Sequence, residues 1–552
     1  MGDAMKSVWF SLYRSSSRTL RGILLILFFA VAPPLAAQDQ TSDETERLEA
    51  DLRFLSDDLL EGREAGTRGH DLAALYVAQR FRALGLRPGG DDATYYQAVP
   101  MLEYAPGEVA SLSIDGIDLV AGEDYLVFPS GKGESIDIRA PLIFGGMCFA
   151  SERESRDDFA GLDLENKIAA CIWGAPKYLN SEERAHYRST KGERVSDHGG
   201  IGEIFVYTPS FEEVFPFEKL KRMLGSSFSR MTWLEKDGTP FSSAPNLKAG
   251  AVLSLAGAQK VFESRGQSLD EILEDAESDR GEVDRFDLEG KARIMVESRH
   301  RNLTSNNVVG ILPGTDEALA GEHVILTAHL DHVGIKPTED PDDDEIYNGA
   351  MDNASGISAL LEVARQLVKA PPKRSVVFIA VTAEEKGLNG SDYFARNPTV
   401  PGDSMVAVVN LDMPIVTYPF ADFTAFGVER STLYEPIKLA ADAYGLTLSP
   451  DPMPDEGRFT RSDHYSFVKQ GVPAVSLVPG FENGGEEAQS EFRKTHYHEA
   501  SDEVSLVDFV ALKKFADVET AITRNIANMP ERPVWNAGDF FGETFGGPMA
   551  ND

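Results

Sequence analysis

The chain has 552 residues, with 53 Lys+Arg against 89 Asp+Glu and a formal net charge of −36. That length exceeds one ordinary domain and points to two or three, and 42% hydrophobic residues suffice for a sizeable core. The acidic excess counts against nucleic acid or an anionic membrane as partner, since both need a basic face, and the two cysteines exclude a disulfide-dense scaffold or a Cys-rich zinc module.

At the N-terminus, Lys6, Arg14, Arg18 and Arg21 precede an apolar run over residues 23–32. Such a run is about half of the ~20 residues that a bilayer core requires. Small residues at Ala36 and Ala37 then suit a signal peptidase, so residues 1–37 are expected to be a cleaved signal peptide, with an uncleaved anchor as the alternative. No cysteine follows the run and no second run approaches spanning length. The expectation is an exported protein, periplasmic or secreted, without a stable membrane anchor.

Further along, Leu52, Leu55, Leu59 and Leu60 fall on one face of a helix. Residues 62–67 are rich in turn formers, and 70–84 carry Leu72, Leu75, Val77, Phe81 and Leu84 near helical spacing up to Gly85. From 111 to about 290 the texture turns to short β-like runs (141–144, 167–173, 203–207) broken by Gly and charged loops. From Asn306 onward apolar strands (323–328, 375–382, 405–411, 474–478) alternate with amphipathic helices, 355–368 being the clearest. That alternation predicts an α/β sandwich around a largely parallel sheet. The tail after Pro530 has little periodicity and is expected to hug the surface or to be mobile. Trp173 and Phe144 are expected as ordinary core residues.

Five segments carry metal-type side chains: Ala328-His329-Leu330-Asp331-His332, Gly349-Ala350-Met351-Asp352-Asn353, Thr382-Ala383-Glu384-Glu385-Lys386, Val409-Asn410-Leu411-Asp412-Met413 and Thr495-His496-Tyr497-His498-Glu499, with Asp502 beyond. Most follow a predicted strand, and ligands of open α/β sheets bind beyond the carboxyl ends of strands. A lone Asp after a strand is usually a helix cap, but five segments mixing His with acids are not explained as caps. Imidazole and carboxylate donors without thiolate suit a hydrolytic zinc site.

In these segments and their order the chain resembles the co-catalytic di-zinc aminopeptidases of metallopeptidase family twenty-eight, a group that also includes glutamate carboxypeptidases. The resemblance implies a three-layer zinc-peptidase sandwich with a mixed, largely parallel central sheet. It implies two Zn²⁺ per chain, with His329 and Asp412 on one, Glu385 and His498 on the other, and Asp352 bridging both. His498 is preferred to His496 because the family shows His-x-x-x-Asp at its last ligand, here reaching Asp502. Glu384 matches the general base acting on a metal-bridged water, and Asp331 the acid that hydrogen-bonds the ligand His and fixes its tautomer. The stretches 157–171 and 199–204 resemble the protease-associated domain often inserted in such peptidases, so a β-rich insert over 111–290 is expected between peptidase segments 38–110 and 291–530, with 531–552 as tail.

Other residues bear on the substrate. His464 is expected to stabilise the tetrahedral intermediate or to cap the helix that follows. Arg461 belongs to a segment that the resemblance places at the rim, Arg461 and Met413 are expected to contact substrate, and Met351 and Pro414 depart from the usual pattern beside ligands. His332 is expected to pack or hydrogen-bond locally. The acidic run 339–345 is expected to hang near the mouth as a solvated loop. The inferred cleft is dominated by acids, with Arg458 and Arg461 as its basic counterweight, which favours a free α-amine and hence an aminopeptidase acting on peptides. Alternatives are a carboxypeptidase or dipeptidase of the same fold, a cyclising transferase, or a non-catalytic binding protein on the peptidase scaffold. Cys148 and Cys171 are expected as two separate buried thiols, with a disulfide as the alternative in an oxidising compartment.

Overall fold

The computed structural model describes residues 35–551 apart from 226, 227, 339 and 341. The expected signal peptide therefore lies outside the described residues over 1–34, and a helix already runs from Leu35 to Leu55 across its expected boundary. That helix buries Leu48, Leu52 and Leu55 and then stops, with Asp57 capping a tighter turn over Asp58–Arg63. The break turns Leu59 outward, 79% exposed, so the expected face does not continue through it. In the next helix, Arg68–Leu84, the buried stripe is Ala73, Ala74, Val77, Ala78 and Phe81, while Leu75 faces out. Small alanines, not the larger leucines, allow this helix its close approach to the sheet.

Among the described residues one 15-stranded sheet runs through the chain. Its central strands Met405–Leu411, His323–His329 and Ser375–Val381 lie side by side and parallel. They are buried along their whole length, as strands covered on both faces must be. Val324, Leu326 and Ala328 pack into one apolar cluster with the helices Ser355–Lys369 and Phe509–Ala527. Ile325 points into the opposite cluster with Phe394 and Phe467. Helices thus cover both faces, giving three layers.

The 27-residue strand Phe286–Leu312 joins the two ends of the sheet. Its last residues, Val308 to Leu312, pair antiparallel with Ser375–Val381. Its earlier part pairs with Ser135–Phe144, from which Ile168–Ile172, Gly202–Val206 and Ala249–Leu253 continue in parallel. The region 111–290 is therefore continuous with the main sheet, and it holds helices such as Ser181–Ser189, Leu255–Glu263 and Leu269–Glu277 as well as strands. It is α/β, where the sequence pattern suggested β-rich.

One further expectation is corrected here, and of the two alternatives for the tail the surface-hugging one holds. Cys148 and Cys171 form a disulfide, because the turn after Ser135–Phe144 brings Cys148 beside the strand carrying Cys171, with Cα atoms 5.5 Å apart. The tail is docked: Trp535 is fully buried, its indole N–H donates to the Gly471 carbonyl at 2.8 Å, and Phe540 and Phe541 are buried beside it. Among the described residues no helix is long and apolar enough to cross a membrane.

Candidate metal centre

Because the three central strands are parallel, their carboxyl ends deliver side chains to one place. His329 is the last residue of the middle strand, in register with Val381 on one neighbour. Asp412 follows the strand on one side, and Glu384 and Glu385 follow the strand on the other. Asp352 comes from the loop leading into Ser355–Lys369 and His498 from the segment after Gly485–Thr495.

The donors meet. His329 Nε2 lies 3.2 Å from Asp352 Oδ1 and 3.2 Å from Asp412 Oδ1. His498 Nε2 lies 3.2 Å from Asp352 Oδ2 and 3.1 Å from Glu385 Oε2. Asp352 thus touches both sets, one through each oxygen. His332 also arrives, with Nδ1 2.9 Å from Glu385 Oε1, in keeping with a local hydrogen bond, while its Nε2 is buried without a partner. His329, Asp352 and Asp412, and separately His332, Asp352 and Glu385, bring ligand atoms within 4.8 Å of one another and can hold a cation. A donor set of imidazole and carboxylate alone fits zinc in a hydrolytic site. His496 turns away, its Nδ1 2.8 Å from Ser501 Oγ.

A second layer of contacts holds these groups. Asp502 accepts from the main-chain N–H of Met351 at 2.9 Å and of Asp352 at 3.0 Å. Asn353 accepts from the Met413 N–H at 3.0 Å and donates to the Leu411 carbonyl at 2.9 Å, locking the Asp352 loop to the Asp412 loop. Gly349, at φ +55°, allows the turn: a Cβ there would lie 2.2 Å from the Asp352 carbonyl oxygen and 2.5 Å from the His332 ring. Asp331 acts differently from expectation. His329 Nδ1 meets the Asp331 main-chain carbonyl at 3.1 Å, while the carboxylate accepts the N–H groups of Glu384 at 3.1 Å and Glu385 at 3.3 Å. It therefore orients the two glutamates. Burial pushes the Asp331 carboxyl up to about 6 and that of Asp502 up to about 7.

Three residues central to this layer carried no signal in the sequence reading. Ser462 donates to Asp412. Asn353, noted only as part of its segment, ties two loops. Arg63, from the turn-rich 62–67 stretch, is fully buried and donates to the carbonyls of Leu330, Asn348 and Gly349 and to Leu55. Burial pulls its guanidinium down to about 10, against the charges of Asp502, Asp331, Asp352 and Glu385.

His329, Asp352, Glu384, Asp412 and His498 line a cleft of about 940 Å³ that Met413 and Arg461 also face. Trp173, expected in the core, stands half-buried on its wall, while Phe144 is fully buried. His464 is absent from the wall: it starts a helix beneath the site, and its ring is buried against Phe459. The described residues of the acidic run 339–345 do not line the cleft either; they connect the paired strands Gly334–Ile335 and Ile346–Tyr347, and residues 339 and 341 lie outside the described residues. Nor are acids the only charges. Lys177, Arg184, Arg188 and Arg493 join Arg458 and Arg461, because the helices Ser181–Ser189 and Gly485–Thr495, remote in sequence, both reach the cleft.

Known proteins share parts of this sequence and its fold. The chain is 26% identical to Aminopeptidase YwaD of Bacillus subtilis over 42% of this chain and 47% of that protein, so the match spans about half of that relative. It is 25% identical to the probable leucine aminopeptidase 2 of Aspergillus oryzae over 61% of this chain and 73% of that protein. It is 31% identical to Aminopeptidase Y of Saccharomyces cerevisiae over 33% and 32%, respectively. In structure it resembles the aminopeptidase from Aneurinibacillus sp. strain AM-1, with a TM-score of 0.50 and 20% identity over 88% of this chain and 95% of that one, a likeness of fold. Residues 307–523, which contain all five proposed ligands, match the model of Peptidase family M28, and this part of the chain is a domain of that family.

Proposed function

We propose that the chain is an exported zinc exopeptidase, an aminopeptidase that removes N-terminal residues from peptides. The observation that carries this reading is the pair of donor sets sharing Asp352, with Glu384 beside them on the cleft wall. We assign His329 and Asp412 to one zinc, Glu385 and His498 to a second, and Asp352 to both. Zinc bound there supplies Lewis acidity toward the scissile carbonyl and lowers the pKa of a water.

The chain's own groups do the rest. Glu384 makes no side-chain hydrogen bond or ion pair with any described residue, so its carboxylate is available to take the attacking water's proton and pass it to the departing amine nitrogen. Burial pushes this carboxyl well above its ordinary range, and the charges of Asp412 and Glu385 add to that. Asp331 holds the main chain of Glu384 and Glu385, so base and ligand diverge from one anchored turn. Asp502 and Asn353 keep Asp352 between its partners. The relatives named aminopeptidases support the choice of substrate end. The disulfide supports export, since such bonds persist in oxidising compartments. The region 111–290, which contributes Trp173, Arg184 and Arg188 to the cleft, would limit substrate size.

Glu384→Gln tests the reading. It preserves size and hydrogen bonding but removes the base, so zinc content is retained and kcat falls by ~10²-fold or more. Near-parental turnover would remove Glu384 from the mechanism.

A further inference from the structure

Six cations face the cleft, and they are not equally compensated. Arg184 pairs with Asp455 at 2.7 Å, and Arg458 with Glu456 at 2.7 Å. Arg188, Arg461 and Arg493 make no side-chain hydrogen bond or ion pair with any described residue, and the covered Nε of Arg493 has no partner. Burial lowers Arg188, and the charges of Arg461 and Arg184 lower it further. Burial likewise lowers Arg493 to about 10, with Arg458 adding to the effect. Arg188 and Arg493 are half-buried and Arg461 is exposed on the same cleft, and half-buried guanidiniums without a paired acid carry a desolvation cost that a bound anion offsets.

The arginines come from three places: the helix Ser181–Ser189, the residue after the turn Arg458–Thr460, and the helix Gly485–Thr495. The Arg184–Asp455 ion pair joins the first of these to the turn Pro454–Glu456, just before the second. The wall also lies near the metal-type residues, for the charge of Asp412 reaches Arg493. A cleft of about 940 Å³ is at the upper end of small-ligand sites, which span roughly 300–1,000 Å³. It suits a short peptide better than a long chain, and the planar fork of Arg matches a carboxylate.

We propose that Arg188, Arg461 and Arg493 form a subsite for the C-terminal carboxylate of short peptides, so that small substrates are gripped at both ends. The proposal rests on the aminopeptidase reading for which end is cut, but its test does not use turnover. N-acetyl-dialanine and its C-terminal amide, both without a free amine, are titrated calorimetrically into the zinc-loaded full chain. The free acid is expected to bind at least about tenfold more tightly than the amide. Arg461→Ala and Arg188→Ala should each weaken the acid by about tenfold and leave the amide unchanged, which separates the arginines from a carboxylate–zinc bond. Arg493→Lys keeps the charge without the fork and should lose part of the preference, with thermal unfolding confirming that each variant is folded.

Equal binding of acid and amide overturns the subsite, as does a preference that survives Arg461→Ala and Arg188→Ala together. If N-acetyl-alanyl-glutamate with an amidated C-terminus but a free side chain binds as tightly as the free acid, the C-terminal assignment fails and the site belongs to acidic side chains. Failure of acid-selective binding leaves the peptidase reading intact, whereas acid-selective binding without hydrolysis of any free peptide defeats that reading alone.

Discussion

Arg63→Met removes a cation buried beneath the candidate centre. Arg63 is 1% exposed and donates at 3.0 Å to Leu330, 2.6 Å to Asn348 and 3.1 Å to Gly349, with a fourth bond to Leu55. Methionine fills much of the volume and donates nothing, so four main-chain carbonyls lose a charged donor. At ~1–3 kcal/mol for each buried group left unsatisfied, full loss would exceed ~4 kcal/mol. Relaxation and water entry bring the expected destabilisation to about 4 kcal/mol, at the high end for a single substitution. Leu330 precedes Asp331 and Gly349 leads into Asp352, so both ligand-bearing loops loosen together and zinc affinity falls as well. Arg63→Lys keeps the charge but not the fork, and should lie between. Urea unfolding of the metal-free chain and zinc titration of the folded chain read the two effects. A stability within about 1 kcal/mol of the parent, together with unchanged zinc affinity, would refute the clamp.

Asp352→Ala should lower occupancy of both proposed zinc sites, and metal analysis showing loss of only one equivalent would contradict the shared ligand. Replacing Cys148 and Cys171 by Ala opens a bridge of sequence separation 23 and should cost about 3 kcal/mol by chain entropy; unchanged unfolding in denaturant would contradict this. Burial lowers Lys191 from 10.5 to about 7, and nearby Arg194 adds to it. The unfolded chain then binds the extra proton between those values, so stability rises with pH across that window by up to ~1.4 kcal/mol per unit. Lys191→Met should therefore stabilise most at or below pH 7 and progressively less toward pH 10.5, and a gain that does not shrink with rising pH would disprove the assignment.

The parts of this structure legible in the sequence were those governed by local pattern. The strands ending at His329, Val381 and Leu411 are mostly apolar runs, and His329, Glu384, Glu385 and Asp412 stand at or just after their ends, so the parallel topology gathers these four. What escaped depends on contacts remote in sequence. Arg63 looks like a surface residue of a polar turn until the chain packs it against residues 330 and 349. Arg188 and Arg493 sit on the polar helices Ser181–Ser189 and Gly485–Thr495, and only tertiary packing turns them into the cleft. Trp535 carried a signal in its type, a large apolar ring in a tail rich in Gly, Phe and Asn, but no period to place it. Leu59 failed because a helical face was extended past Leu55, where the capped turn at Asp57 interrupts it.

The most direct test of the central claim is to incubate the zinc-loaded full chain with a peptide whose N-terminus enters the cleft while its C-terminus extends beyond the arginine wall, in free, N-acetylated and C-amidated forms, and to read the cleaved ends by mass spectrometry. Stepwise loss of the N-terminal residue is expected from the free and amidated forms, none from the acetylated form, and none from any form once zinc is removed. Release of C-terminal residues, or undiminished cleavage of the acetylated peptide, would contradict it.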